Sequence, residues 1–210
     1  IDLSGAAPSV RMVRAPRGRW DPRERMRFEG DDAERDEHLE RLLTSIFGAL
    51  AGPARAEHPD YQDLGTPLEI VMEFEPEDIG RGTGTGRGLP STFAAQDLLS
   101  SVASETERTT DVLLDVPWSS EQSIEYVLPP GARILRAPRA LDVASEDLEY
   151  ARTVGEPDVD PGGRVRVRIV ERIAFRTHRV PVERYAAFRE LARQIDDAQR
   201  ETLDYELCCG

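Results

Sequence analysis

The sequence contains no lysine and no asparagine, so all 27 basic residues are arginine. A phosphate-loop lysine, a Schiff-base lysine and a lysine general base are thereby excluded, and whole classes of enzyme chemistry go with them. Such an arginine-only set is the mark of a GC-rich genome, and a bacterial source is the expectation. Cysteine is nearly absent: Cys208 and Cys209 stand side by side at the end of the chain. Adjacent cysteines close only a strained disulfide, two thiols do not complete a zinc site, and the reading is a frayed tail. His38, His58 and His178 are the only histidines, and no two lie at metal-ligand spacing. No apolar run approaches the roughly 18 residues that cross a bilayer, so no membrane-spanning segment is expected. The expectation is also of no cofactor and no metal.

What is present is acid. The net charge is −13, spread unevenly: residues 1–30 hold 7 arginines against 4 acids, residues 31–80 hold 3 against 14, and residues 164–210 hold 10 against 8. A strongly acidic whole argues against nucleic-acid binding, which draws its affinity from neutralising phosphates. The arginine-rich ends are instead expected on the wet face of a sheet, with Arg23, Arg25, Arg27 or Arg164, Arg166, Arg168 beside Glu69, Glu73 and Glu75. The chain opens at Ile1 without a basic-then-apolar leader, as a processed or excised piece would.

Periodicity gives the elements. Residues 9–14 and 23–29 alternate polar with apolar and read as a hairpin around Pro16, Gly18 and Pro22. A helix begins at Gly30-Asp31-Asp32, carries Leu39, Leu42, Leu43, Ile46, Phe47 and Leu50 on one face, and ends at Gly52-Pro53. A strand follows with Leu68, Ile70, Met72 and Phe74 inward. The glycine-rich segment 80–88 reads as a mobile loop, and residues 93–102 as a short helix. Strands at 111–116 and 122–128 flank a turn at Pro117-Trp118-Ser119-Ser120, and Pro129-Pro130-Gly131 turns the chain into 132–136. An extended run covers 141–154. Val165, Val167 and Ile169 alternate with arginines in the clearest strand, continued past a bulge at Val170-Glu171 to Ile173 and Phe175. A helix from Val182 places Tyr185, Phe188, Leu191 and Ile195 on one face, fraying at Asp196-Asp197, before a last strand at 202–207. The fold class is mostly β (α+β), β-sandwich-like sheets with two amphipathic helices packed on them. Residues 1–110 form a strand-helix-strand segment and 111–207 a β-rich segment ending in helix and strand, together one compound domain.

Candidates for chemistry are few. The spacing G-x-G-x-G-x-G-x-G lacks both the dinucleotide and the phosphate-loop pattern. Ser119 and Ser120 lack a G-x-S-x-G setting, and paired acids such as Glu146-Asp147 or Asp196-Asp197 are unavoidable among 40 carboxylates. No catalytic, cofactor-binding or metal residue is assigned. Trp118, beside Pro117, is either a binding anchor or a ring covering a sheet edge.

Three stretches carry a family likeness: residues 123–131, a strand ending in L-P-P-G; the long strand at 165–175; and residues 181–188, with the pattern P-x-x-x-Y-x-x-F. In order and spacing they resemble the C-terminal flanking domain of bacterial transglutaminase-like exported proteins, in which β-rich domains of unknown function bracket a papain-like core. The segment before Tyr150 departs from that pattern, carrying Ser145-Glu-Asp-Leu-Glu149 where the family commonly has glycine. The resemblance implies a non-catalytic accessory domain, a periplasmic or cell-surface location, and the catalytic core of the same parent or another protein as partner. The Cys-His-Asp site of such proteins lies in that core, so no catalytic residue carries over. The alternative function is a carbohydrate- or protein-binding targeting module.

Overall fold

The computed structural model describes residues 1–57, 59–83 and 86–207. It divides into two units, Ile1–Ile79 and Gly80–Gly210, so residues 80–110 fall within the second unit. Strands hold 36% of the chain against 23% in helices, which makes it mostly β with helices added, as the periodicity predicts.

The first unit runs through β1 (Val10–Arg14), α1 (Trp20–Arg27), α2 (Asp32–Phe47), β2 (Arg55–Glu57) and β3 (Ile70–Phe74). Its sheet has the order β1-β3-β2. Leu68, Ile70, Met72 and Phe74 are buried as the alternation requires. The hairpin predicted for 9–29 does not form: β1 pairs with β3, Val10 opposite Phe74, and 20–27 is helical. Pro22 lies in the first turn of α1, where a missing N–H costs nothing, and Asp21 favours the positive end of the helix. The buried positions are then Glu24, Arg25 and Phe28, at helical spacing, while Met26 is 66% exposed. α2 has a reciprocal N-terminal cap, with the Asp31 carboxylate accepting from the Glu34 N–H (3.0 Å) and Glu34 accepting from the Asp31 N–H (3.2 Å). It ends at Gly48, whose φ of 80° suits glycine, short of the expected Gly52-Pro53; Leu50 bridges Pro76 instead.

The second unit contains β4 (Arg81–Thr83), β5 (Gly86–Pro90), α3 (Leu98–Ser101), β6 (Val112–Leu113), β7 (Trp118–Leu128), β8 (Ala132–Arg136), β9 (Leu141–Ala144), β10 (Leu148–Val154), β11 (Asp158–Val159), β12 (Val165–Phe175), β13 (Arg179–Val180), α4 (Tyr185–Gln199) and β14 (Thr202–Leu207). β12 lies between β7 and β10 in a five-stranded antiparallel sheet that ends at β9. A second sheet has the order β4-β5-β14-β8, and β13 pairs with β6. The segment read as a mobile loop is therefore a hairpin arm: Arg81 stands opposite Gly88 and Gly82 opposite Arg87, with β5 stitched in turn to β14. Gly86 is required there, since a Cβ would stand 2.4 Å from the Tyr205 carbonyl oxygen.

Three further expectations are corrected. Trp118, Ser119 and Ser120 form no turn; they open β7, with Trp118 opposite Phe175. β12 has no bulge: its register with β7 is unbroken over eleven residues, so Glu171 points inward in phase with Val165, Val167, Ile169, Ile173 and Phe175. The arginines and glutamates do not share one sheet either. Arg23, Arg25 and Arg27 lie on α1, whereas Arg168 of β12 stands opposite Glu125 of β7, Arg166 stands opposite Val127, and Arg164 pairs with Asp160.

α4 buries Tyr185, Phe188, Leu191, Ala192 and Ile195 against Leu148, Tyr150, Ile173 and Phe175. Glu190 and Arg193 face water as expected, whereas Arg184 is held by Glu146 and Asp147. The helix does not fray at Asp196-Asp197 but continues to Gln199. Asp196 is buried and accepts from the N–H groups of Leu98 (2.7 Å) and Leu99 (2.9 Å), starting α3, which is only four residues long.

Candidate functional site

Strand alternation sends every second residue of β7, β12 and β10 to the inner face of the large sheet. Most are apolar. One row is not: Gln122 faces Glu171, and Glu171 faces Arg152, so three polar side chains line up across three strands. The row lies where the apolar stripe of α4 gives out, and the end of the helix supplies its partners. Arg152, 1% exposed, donates to the Ala198 carbonyl, to Ser91 Oγ (3.3 Å), to the Arg139 carbonyl (2.8 Å) and to Glu201. A guanidinium at the C-terminal end of a helix satisfies orphan carbonyls and complements the helix dipole.

Glu171 accepts from the Tyr150 hydroxyl and from Gln199 Nε2 (3.3 Å). Gln199 Oε1 accepts from the Gln96 N–H, and Gln122 Oε1 accepts from Thr92 Oγ1 (3.0 Å) and the Phe93 N–H (2.9 Å). Burial, followed by the hydrogen bond to Glu171, pushes the Tyr150 phenol far above its ordinary pKa. Burial disfavours the Glu201 carboxylate, but the Arg139 N–H, the Arg139 guanidinium and Arg152 outweigh it and hold its pKa low. The network is closed on itself: each buried group has its partner within the chain, which is what a buried charge needs.

The residues singled out from the sequence lie elsewhere. Trp118 is half-buried at the sheet margin and stacks on Phe175, centroids 5.0 Å apart and planes at 29°. His38 is half-buried with its ring edge-on to Phe28 at 4.8 Å; burial, then Arg41, lowers its pKa. His178 is exposed, Ser119 is exposed and Ser120 is half-buried. His58, Cys208, Cys209, Gly84 and Thr85 lie outside the described residues. Sequence reasoning missed Arg152, Glu171 and Gln199, and set Asp196 aside as a chance pair with Asp197. A signal for two of them exists: strict period-2 counting puts Glu171 and Arg152 in phase with the buried residues of β12 and β10.

Two other features bear on chemistry. A shallow open depression of about 400 Å³ is lined by Ser101, Ser104, Arg108 and Asp111 among others. The Asp111 carboxylate is already engaged by the Val182 N–H and by Arg179, which lower its pKa in that order. Among the described residues no three His, Cys, Asp or Glu side chains are grouped to hold a metal ion, and no helix is long and apolar enough to cross a membrane. Comparison with protein-family models, with curated proteins and with solved structures finds no match.

Proposed function

We propose that this chain is a non-catalytic accessory module of a larger bacterial transglutaminase-like exported protein, packing beside a core that performs the chemistry. The observation that carries the reading is the closure of the polar row. Arg152, Glu171 and Asp196 are spent on a helix end, a tyrosine, a glutamine and the start of α3, so these buried ionisable groups stabilise architecture. A catalytic acid or base must instead reach a substrate proton. The family likeness supplies the rest, including the periplasmic or cell-surface location: its three motifs form β7 with its L-P-P-G turn, β12, and the start of α4.

The test is turnover. The purified chain is expected to release nothing from amide, thioester or γ-glutamyl substrates, and to bind the catalytic core of its parent by calorimetry. Turnover abolished by the Cys208→Ala, Cys209→Ala double substitution overturns the proposal, as does a core that ignores the module. Trp118 favours a second reading, a carbohydrate- or protein-binding targeting module, because its ring stays partly open at the margin of a sheet. Saturable binding on a glycan array that is lost in Trp118→Ala supports that reading.

A further inference from the structure

The two edges of the large sheet are unlike. β9 is four residues long, and β11 covers only two residues of β12. In the second sheet β4 has three residues, and β8 has five with a register shift against β14. Short and irregular edges are how sheets avoid pairing with strangers. β7 has none of this protection. It is eleven residues long, runs in unbroken register, contains no proline, and pairs with β12 alone among the described strands.

Its first half is only partly covered: Thr92 and Phe93 meet Gln122, and Trp118 stacks on Phe175. On the inner face Phe175, Ile173 and Glu171 of β12 are buried, yet Trp118, Ser120 and Gln122 opposite them are only half-buried. On the outer face Ser119, Glu121 and Ser123 are exposed.

We infer that the free edge of β7, centred on residues 118–123, takes up an extended segment of a partner protein as an added antiparallel strand, with basic side chains on its outer face and an apolar residue against Trp118. Charge selects the occupant. A second copy of this chain fits badly: the longest self-pairing, centred on Ser123, sets Glu121 of each copy against Glu125 of the other, and each copy brings a net charge of −13. On its occupied side β7 shows what suits it. There Arg168 stands opposite Glu125, Arg172 opposite Glu121 and Phe175 opposite Trp118, the pattern basic-x-x-x-basic-x-x-aromatic. A strand of that pattern on the free side would meet the same side chains from the other flank, with main-chain hydrogen bonds giving affinity and side chains giving specificity.

This deepens the accessory reading by naming the surface through which the module docks. The test uses the full chain and a fluorescent peptide, Arg-Thr-Val-Ser-Arg-Val-Thr-Phe, followed by anisotropy. Saturable binding is expected, weakened about tenfold or more when both arginines become glutamate. N-methylation of alternate residues decides the mode, since an added strand turns only one set of N–H groups toward its neighbour. One methylated set is expected to abolish binding and the other to leave it. All these changes are in the peptide, so no variant has to fold. Absence of binding, equal effects of the two methylated sets, or self-association through β7 overturns the inference. The outcome is separable from the accessory reading, which stands or falls on turnover and on binding of the parent core.

Discussion

Two arginines are almost entirely withdrawn from water, Arg25 at 5% and Arg152 at 1%, and they solve different problems. Arg25 projects from α1 and gathers a loop, donating to the carbonyls of Asp60, Tyr61 and Thr66 and pairing with Asp21. Arg152 projects from the middle of a sheet and closes a helix, donating to the Ala198 carbonyl and pairing with Glu201. In both, five fixed donors on a rigid plane meet backbone oxygens that lack regular partners. The difference lies in what surrounds them. Arg25 holds one irregular segment in place, whereas Arg152 stands in a row with Glu171 and Gln122, so its removal disturbs strands, helix and loop together.

That contrast can be broken by substitution. Arg152→Ala is expected to cost about 3–5 kcal/mol in denaturant melts, because it strands the partners of a buried charge. A cost below about 1 kcal/mol would make the row incidental. Phe188→Ala, in the same tier, removes a fully buried ring from the α4 interface at about 3–5 kcal/mol. A change in the range of surface substitutions would mean that α4 is not docked as described. Arg25→Ala is expected to cost less, about 1–3 kcal/mol, and to raise amide exchange mainly at residues 60–66. Exchange unchanged there would remove the loop-gathering role.

The weakest effect is alkaline. Burial leads the causes that push the Tyr61 phenol up to about 12 and those of Tyr126 and Tyr150 further. A raised folded pKa means that the folded state keeps its proton longer. The associated stability is complete below the unfolded phenol value of about 10 and is lost as pH rises toward the folded pKa. Absorbance at 295 nm should show Tyr61 ionising before Tyr150, assigned with Tyr61→Phe and Tyr150→Phe. The reverse order would contradict the closure of the polar row.

The two regions were also unequally legible. α4 and β12 are long and periodic, and each amphipathic pattern has one reading. Residues 23–27 alternate as a strand would, yet Pro22 can open a helix as readily as it marks a turn, and the deciding contacts are remote: the Asp21 carboxylate accepts from the Leu68 N–H. Glu171 was hidden by a sound rule applied too strictly. An acid in the inward phase suggests a bulge, and only the arrival of Tyr150 and Gln199 makes an acid tolerable there. The glycine-rich arm was opaque for the opposite reason: glycine carries no pattern, and what orders it is β14, more than a hundred residues away.

The carboxylate of Asp196 fixes an order of events. α3 is far too short to persist alone, and the acceptor for its first N–H groups arrives 98 residues later in the chain. α3 is therefore expected to condense only after α4 has come to rest, on the downhill side of the folding barrier. Asp196→Asn is expected to accelerate unfolding and leave the folding rate nearly unchanged, the kinetic signature of an interaction absent from the transition state. Stopped-flow chevrons read this directly. A folding limb slowed in proportion to the stability lost would place Asp196 in the nucleus and α3 among the first elements to form.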